Sequence, residues 1–204
     1  MQSNDEYVNS LNKSAQFALF MTSYAPLFLL LIIKQCDNNG AYFHWGGLSI
    51  AAGICFVEKF GLSTLLFLVG CYGLLGAKCT LQNIHKNASN GFPVRVTDVK
   101  NKNSESVNYI ATYVIPFAFQ AFDSWVELVS ILGIIAIIYR IFIHSSLLLV
   151  NPLLSFHYGL FEIEFKEGNV IRNGMVITKI KYLSENESIR LYTIGHKMYY
   201  AIKN

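Results

Sequence analysis

Long apolar runs alternate with polar stretches through most of the chain, and the rhythm changes near its end. The first fifteen residues are polar; Phe17 to Ile33 then reads FALFMTSYAPLFLLLII, uncharged, and stops at Lys34. As a helix this run covers about 26 Å, just enough for a hydrocarbon core of roughly 30 Å. Only Lys13 precedes it as a positive residue and no Ala-x-Ala site follows, so it reads as a retained span and not a cleaved signal. Pro26 inside the run predicts a kink. A second apolar stretch, Gly46 to Ala77, is interrupted by Glu58-Lys59. As one helix it would run about 48 Å, too long for a single crossing. The pattern therefore predicts a span at Phe60–Ala77, with Gly46 to Val57 as an interfacial or extramembrane extension. Gly70, Gly73 and Gly76 recur at intervals of three, a small-residue face that permits close helix approach.

Residues 78–106 are polar and read as a long loop, within which Pro93 to Val99 alternates like a strand. A third span is predicted near 107–122, with Pro116 in it, and a fourth near 126–146, with Trp125 at the interface position. Asn151-Pro152 ends that helix. From there the period becomes two. Phe161, Ile163 and Phe165 alternate with Glu162, Glu164 and Lys166, and a second alternating run covers Val176 to Leu183. Glu167-Gly168-Asn169 and Ser184 to Glu187 are turn signals, and Ile189–Thr193 and Met198–Ile202 give two further short strands. The expected fold class is an α-helical membrane protein: a four-helix transmembrane domain over 1–154 and a small cytoplasmic β-rich tail over 155–204.

Composition supports a membrane class, since 53% of the 204 residues are hydrophobic and only 14% charged, against about 25% in an average soluble domain. With both termini on the side of the middle loop, that side carries thirteen Lys and Arg and the other only Lys34 and Lys59. The positive-inside rule makes the richer side cytoplasmic. A net charge of +3 is too small and dispersed to point to direct nucleic-acid binding. The four cysteines, Cys36, Cys55, Cys71 and Cys79, show no paired or metal-binding spacing. No catalytic motif is present either, so neither an enzyme nor a cofactor is expected.

Three features invite a functional reading. Arg140 is the basic residue of an apolar helix, open to an ion path or an intersubunit pair, but its place near the cytoplasmic end favours snorkelling to the headgroups. Asp123 and Glu127 lie four apart on the outer rim; they suit an acidic mouth for cations, but with no cation beside them an ordinary solvated loop is the favoured reading. Asn151-Pro152 joins the last helix to the first tail strand abruptly, which makes it a candidate coupling joint, because proline stiffens the turn.

Two segments carry a resemblance. Asn101 to Phe117 runs from a polar Asn/Glu stretch straight into Tyr-Ile-x-Thr-Tyr-Val-Ile-Pro, with Tyr109, Thr112, Tyr113 and Pro116 as motif positions. Asn151-Pro152-Leu153-Leu154 is followed by Tyr158-Gly159-Leu160-Phe161-Glu162. In this order, behind a span ending Pro-Leu-Phe-Leu, they resemble the KwaA family, the membrane subunit of the Kiwa anti-phage defence system. The resemblance implies a bacterial inner-membrane protein, a homo-oligomer and specifically a tetramer. It also implies a sensor and scaffold role beside a soluble cytoplasmic partner, KwaB, which carries the DNA-binding effector step. A subunit of a small ion channel or transporter is the alternative.

Overall fold

A computed structural model describes residues 11–43, 47–109, 125–143, 151–168 and 170–203. Helix α1 spans Lys13–Ser23 and α2 spans Ala25–Asn38, bent by 54° at Tyr24. The break falls just before Pro26, in the first turn of α2, as expected of a ring that offers no N–H to the preceding turn. Hydroxyls compensate for the disturbed ladder: Thr22 Oγ1 donates to the Ala18 carbonyl at 2.8 Å and Ser23 Oγ to the Phe20 carbonyl at 2.6 Å.

Helix α3 is one continuous element, Ile50–Asn87, capped by the Ser49 side chain accepting from the Ala52 N–H at 3.2 Å. Its 38 residues extend about 57 Å. One expectation fails here: residues 78–106 are not a loop. The stretch before Phe60 extends the helix of the predicted span, as expected, from Ile50 onward. Glu58-Lys59 does not break the helix because both are good helix formers, and the amphipathic turns Lys78–Asn87 simply continue it. After a short 3-10 turn, Ala88–Asn90, comes β1, Phe92–Asn101, which contains the expected strand, and then α4, Asn103–Tyr109. Helix α5 is Trp125–Ile143. The strands β2 (Gly159–Glu167), β3 (Val170–Thr178), β4 (Ser188–Gly195) and β5 (Met198–Lys203) follow. Strand β3 starts and ends earlier than its alternation suggested, with Ile180 and Tyr182 beyond its end.

The five strands close into a barrel in the order β1-β2-β3-β5-β4. Strand β1 is bent across the closure: its start pairs with β4 (Phe92↔Leu191) and its end with β2 (Asn101↔Phe161), with an irregularity between Val96 and Asp98. All pairs are antiparallel except β3 with β5. This is the order of an OB-type barrel, here with α4, α5 and the residues between them inserted between β1 and β2.

The four-span α-helical fold class is thereby overturned. Among the described residues one helix is long and apolar enough to cross a bilayer, or two if the bent α1–α2 pair counts as one crossing. Beside these and the shorter helices α4 and α5 stands a closed barrel, which the tail completes only with a strand from the middle of the chain. Fifty residues of tail lacked one strand of closure, and β1 removes both open edges at once. The third predicted span, 107–122, lies outside the described residues beyond Tyr109.

Two buried clusters organise the molecule. Val94, Val96, Phe161, Ile163, Phe165, Val176, Leu183, Ile189, Leu191, Tyr199 and Ala201 fill the barrel. Gly174, opposite Ile163, leaves the space that the Tyr199 ring takes; a Cβ there would stand 2.5 Å from that ring. The second cluster runs from Leu19, Phe20 and Tyr24 through Ala77, Leu81 and Ile84 to Leu160, Ile177 and Tyr200, so helices and barrel share a core.

Candidate functional site

The junction between helices and barrel brings together the residues with the most specific contacts. Neighbouring strand positions point to opposite faces. Phe161, Val176 and Tyr199 form a row across β2, β3 and β5 into the barrel, while Leu160, Ile177 and Tyr200, one residue away on each strand, form a row outward against the helices. An apolar residue at both phases of three adjacent strands is the signal in the sequence for this second buried face; strict alternation obscures it.

Helix α3 reaches the outer row directly. His85 Nδ1 and the Tyr200 hydroxyl are 3.0 Å apart, and Tyr158 meets the Tyr200 ring edge-on at 6.3 Å. Burial, with Tyr158 beside it, pushes the Tyr200 phenol up to about 12, and burial raises Tyr158 as well. The roots of the inserted segment are stapled together. The Lys102 N–H donates to the Leu160 carbonyl at 2.9 Å, and the Leu160 N–H donates to Asn103 Oδ1 at 2.8 Å. Lys102 lies between Glu105 (3.2 Å) and Glu162 (3.6 Å), and the bond and charge of Glu105 raise its pKa, assisted by Glu162.

Asn151 is fully buried, and Pro152 beside it is buried. The Asn151 Nδ2 donates to the Leu19 carbonyl of α1 at 3.0 Å, and its Oδ1 accepts from the Leu153 and Leu154 N–H groups at 3.0 and 3.4 Å. An asparagine suits this place because its amide both donates and accepts. The joint is therefore fastened to the first helix, 132 residues away in sequence.

The glycine face packs α3 against the α1–α2 pair. A Cβ on Gly76 would stand 2.6 Å from Ala18 Cβ and one on Gly73 2.9 Å from Met21 Cβ, while Gly70 faces Phe28 at 3.7 Å. At the other end of the same contact, Ser63 Oγ donates to Gln35 Oε1, and the side chains of Gln35 and Asn39 donate to the Lys59 carbonyl at 2.8 and 3.3 Å. The sequence reading missed this polar bracket, as it missed His85–Tyr200 and Asn103–Leu160. Arg140 stands exposed in the last turn of α5, two residues before the buried Phe142. Glu127 is in the first turn of α5 and Tyr109 ends α4. Asp123, Thr112, Tyr113 and Pro116 lie outside the described residues.

A family model described as anti-phage protein KwaA matches residues 15–200. Neither a curated protein nor a solved structure is similar enough to the chain to match.

Proposed function

The chain belongs to the KwaA family of anti-phage proteins, and from that premise we propose that it serves defence as a membrane-held sensor and scaffold. It oligomerises in the bacterial inner membrane as a tetramer and recruits a soluble cytoplasmic DNA-binding effector of the KwaB kind. Both chain ends and the barrel face the cytoplasm. The role is mechanical and adaptor-like, without chemistry of its own.

One observation carries the reading. Large apolar side chains are exposed along the helices: Leu65, Phe67, Leu68, Leu74 and Leu75 on α3, Leu29, Leu30 and Ile33 on α2, and Val129, Ile134, Ile137 and Ile141 on α5. These five on α3 fall between Lys59 and Lys78, about 28 Å apart along the helix axis, which is the thickness of a hydrocarbon core; Ile50, Ile54, Phe56 and Val57, before Lys59, are exposed as well. Helices α1 and α2 run antiparallel beside this segment, pairing Ala18 with Gly76 and Gln35 with Ser63. A crossing by this pair and a return by α3 put the N-terminus and the barrel on one side.

The test is accessibility. Single-cysteine variants retaining Cys36, at the far end of α2, or Cys79, just past Lys78, are treated with a membrane-impermeant maleimide. Cys36 should label in intact spheroplasts, and Cys79 only after the membrane is broken. Labelling of Cys79 in intact spheroplasts, or equal labelling of both, refutes the arrangement.

A further inference from the structure

Three segments emerge from the barrel at the end that bears the helices: 101–103, 156–160 and 178–182. They lie against one another. The Lys179 ammonium is 5.9 Å from the Tyr158 ring centroid, and the Ile180 carbonyl is 3.2 Å from where a Cβ on Gly159 would be. Around this root, Phe156 and Tyr182 are 76% and 84% exposed, with Lys179 and Lys181 exposed beside them. The exposure of Tyr182 belongs to a fitted loop, because the next residue, Leu183, is buried in the barrel core. Elsewhere the exposed positions of β1 and β2 are mostly charged, with Arg95, Lys100, Glu164 and Lys166 among them.

Height along the bundle sets what these aromatics face. Asn151 is bonded to Leu19, whose neighbour Ala18 packs on Gly76, and Phe156 follows only five residues later. His85 holds Tyr200 seven residues past Lys78, about 10 Å along α3. The headgroup layer is several ångströms deep on each side of the hydrocarbon. Aromatic rings beside lysines are the side chains that settle there, the ring at the apolar boundary and the ammonium among phosphates. Of the nearby carboxylates, Glu105 and Glu162 both engage Lys102, and Glu185 shares a groove with Lys181 and Tyr182.

We propose that this end of the barrel rests on the inner face of the bilayer, with Phe156 and Tyr182 in the interface and Lys179 and Lys181 binding anionic phospholipid headgroups. The inference rests on the membrane reading above. On this view the barrel is held against the membrane at a second place besides its helices, so lipid charge at that face reaches the Tyr158–Tyr200–His85 contact.

The experiment uses the full chain in vesicles, with Trp45 and Trp125 changed to Phe and one new tryptophan at Phe156, Tyr182 or, as a control, Phe67 in mid-span. Quenching is read with brominated phosphatidylcholine or brominated phosphatidylglycerol. Phe156→Trp and Tyr182→Trp should be quenched, with a preference for the anionic lipid of about fivefold or more. Lys179→Glu with Lys181→Glu should abolish that preference and leave the Phe67→Trp signal unchanged. Failure of Phe67→Trp to be quenched sinks the membrane reading itself. Normal quenching there with none at Phe156→Trp and Tyr182→Trp overturns this proposal alone, as does equal quenching by the two lipids.

Discussion

The barrel and the helices are built by opposite rules. In the barrel the interior takes Val94, Ile163, Phe165 and Ile189, while Glu164, Lys166 and Arg172 stand outside. In α3 the packed positions between the two lysines are Phe60, Ser63, Gly70, Gly73 and Ala77, and the large apolar residues Leu65, Phe67, Leu68, Leu74 and Leu75 are outside. Water rewards burial of large apolar groups, so the barrel hides them. Where the surroundings are themselves apolar, contact is driven by close packing and polar brackets, so the small residues and the Gln35–Ser63–Lys59 cluster face inward. On the membrane reading proposed above, the difference between the two regions is a difference of solvent.

Paired substitutions break or sharpen that contrast. The largest effect belongs to the barrel interior. Phe165→Ala empties a site that is 0% exposed and should cost about 3–5 kcal/mol, whereas Glu164→Gln next to it should stay within about 0.5 kcal/mol. Thermal melts of the purified protein check both, and equal effects would mean that the interior is not tightly packed. Next comes Leu68→Lys. Leu68 is 60% exposed, so in a water-facing helix the change would be nearly neutral. Against lipid it should cost about 2.5–3.5 kcal/mol, read as lost insertion in membrane fractions. Full insertion and unchanged abundance would remove the solvent argument.

How much of this could be read from residues alone follows the same division. The kink before Pro26, the glycine face and the strands around Phe161–Phe165 and Met198–Ile202 were legible because each rests on local chemistry or on a period within a few residues. The length of α3 was not, because hydropathy marks where lipid is suitable and says nothing of where a helix stops; Lys78 to Asn87 are polar and helical together. Barrel closure was not legible either, since β1 and β4 pair across about a hundred residues. The composition of the junction was hidden for the same reason. Asn151 could be seen as a turn residue, but its bond to Leu19 depends on the whole bundle. Tyr200 looked like one phase of a short strand, and only the fold brings His85 to it.

Asn151 supplies a smaller prediction with a functional edge. Asn151→Ala leaves the Leu19 carbonyl and the Leu153 N–H without their partner, a cost of about 1–3 kcal/mol. If the joint transmits movement from helices to barrel, protection from phage should fall further than abundance in the membrane does. Plaque counts beside quantified membrane levels decide it. Protection that simply tracks abundance makes Asn151 a structural bracket and ends its candidacy as a coupling element.

The smallest effect tests a hydrogen bond by which α3 reaches the outer row of the barrel. Tyr200→Phe keeps the ring among Leu160, Ile177 and Ile194 but removes the hydroxyl that meets His85 at 3.0 Å, so near neutral pH it should cost about 1 kcal/mol. The same hydroxyl makes the native protein sensitive to alkali. Its pKa is raised to about 12 by burial and by Tyr158, above the ordinary phenol value of about 10. A group whose folded pKa is raised stabilises fully below its unfolded pKa and loses that contribution as pH climbs through the folded one. Native stability should therefore decline between about pH 10 and pH 12, by up to about 1.4 kcal/mol per unit, and the variant should lack that part of the decline. The two stability curves then meet near about pH 11, where the loss from ionisation equals the value of the hydrogen bond. Tyr158 and Tyr199 are shifted in the same direction and remain in both proteins, so the difference between the curves isolates Tyr200. Denaturant melts of the detergent-solubilised protein at half-unit steps from pH 9 to about pH 12 give that difference. Parallel curves across the window would mean that the Tyr200 hydroxyl is solvated, and that helix and barrel meet at this point by packing alone.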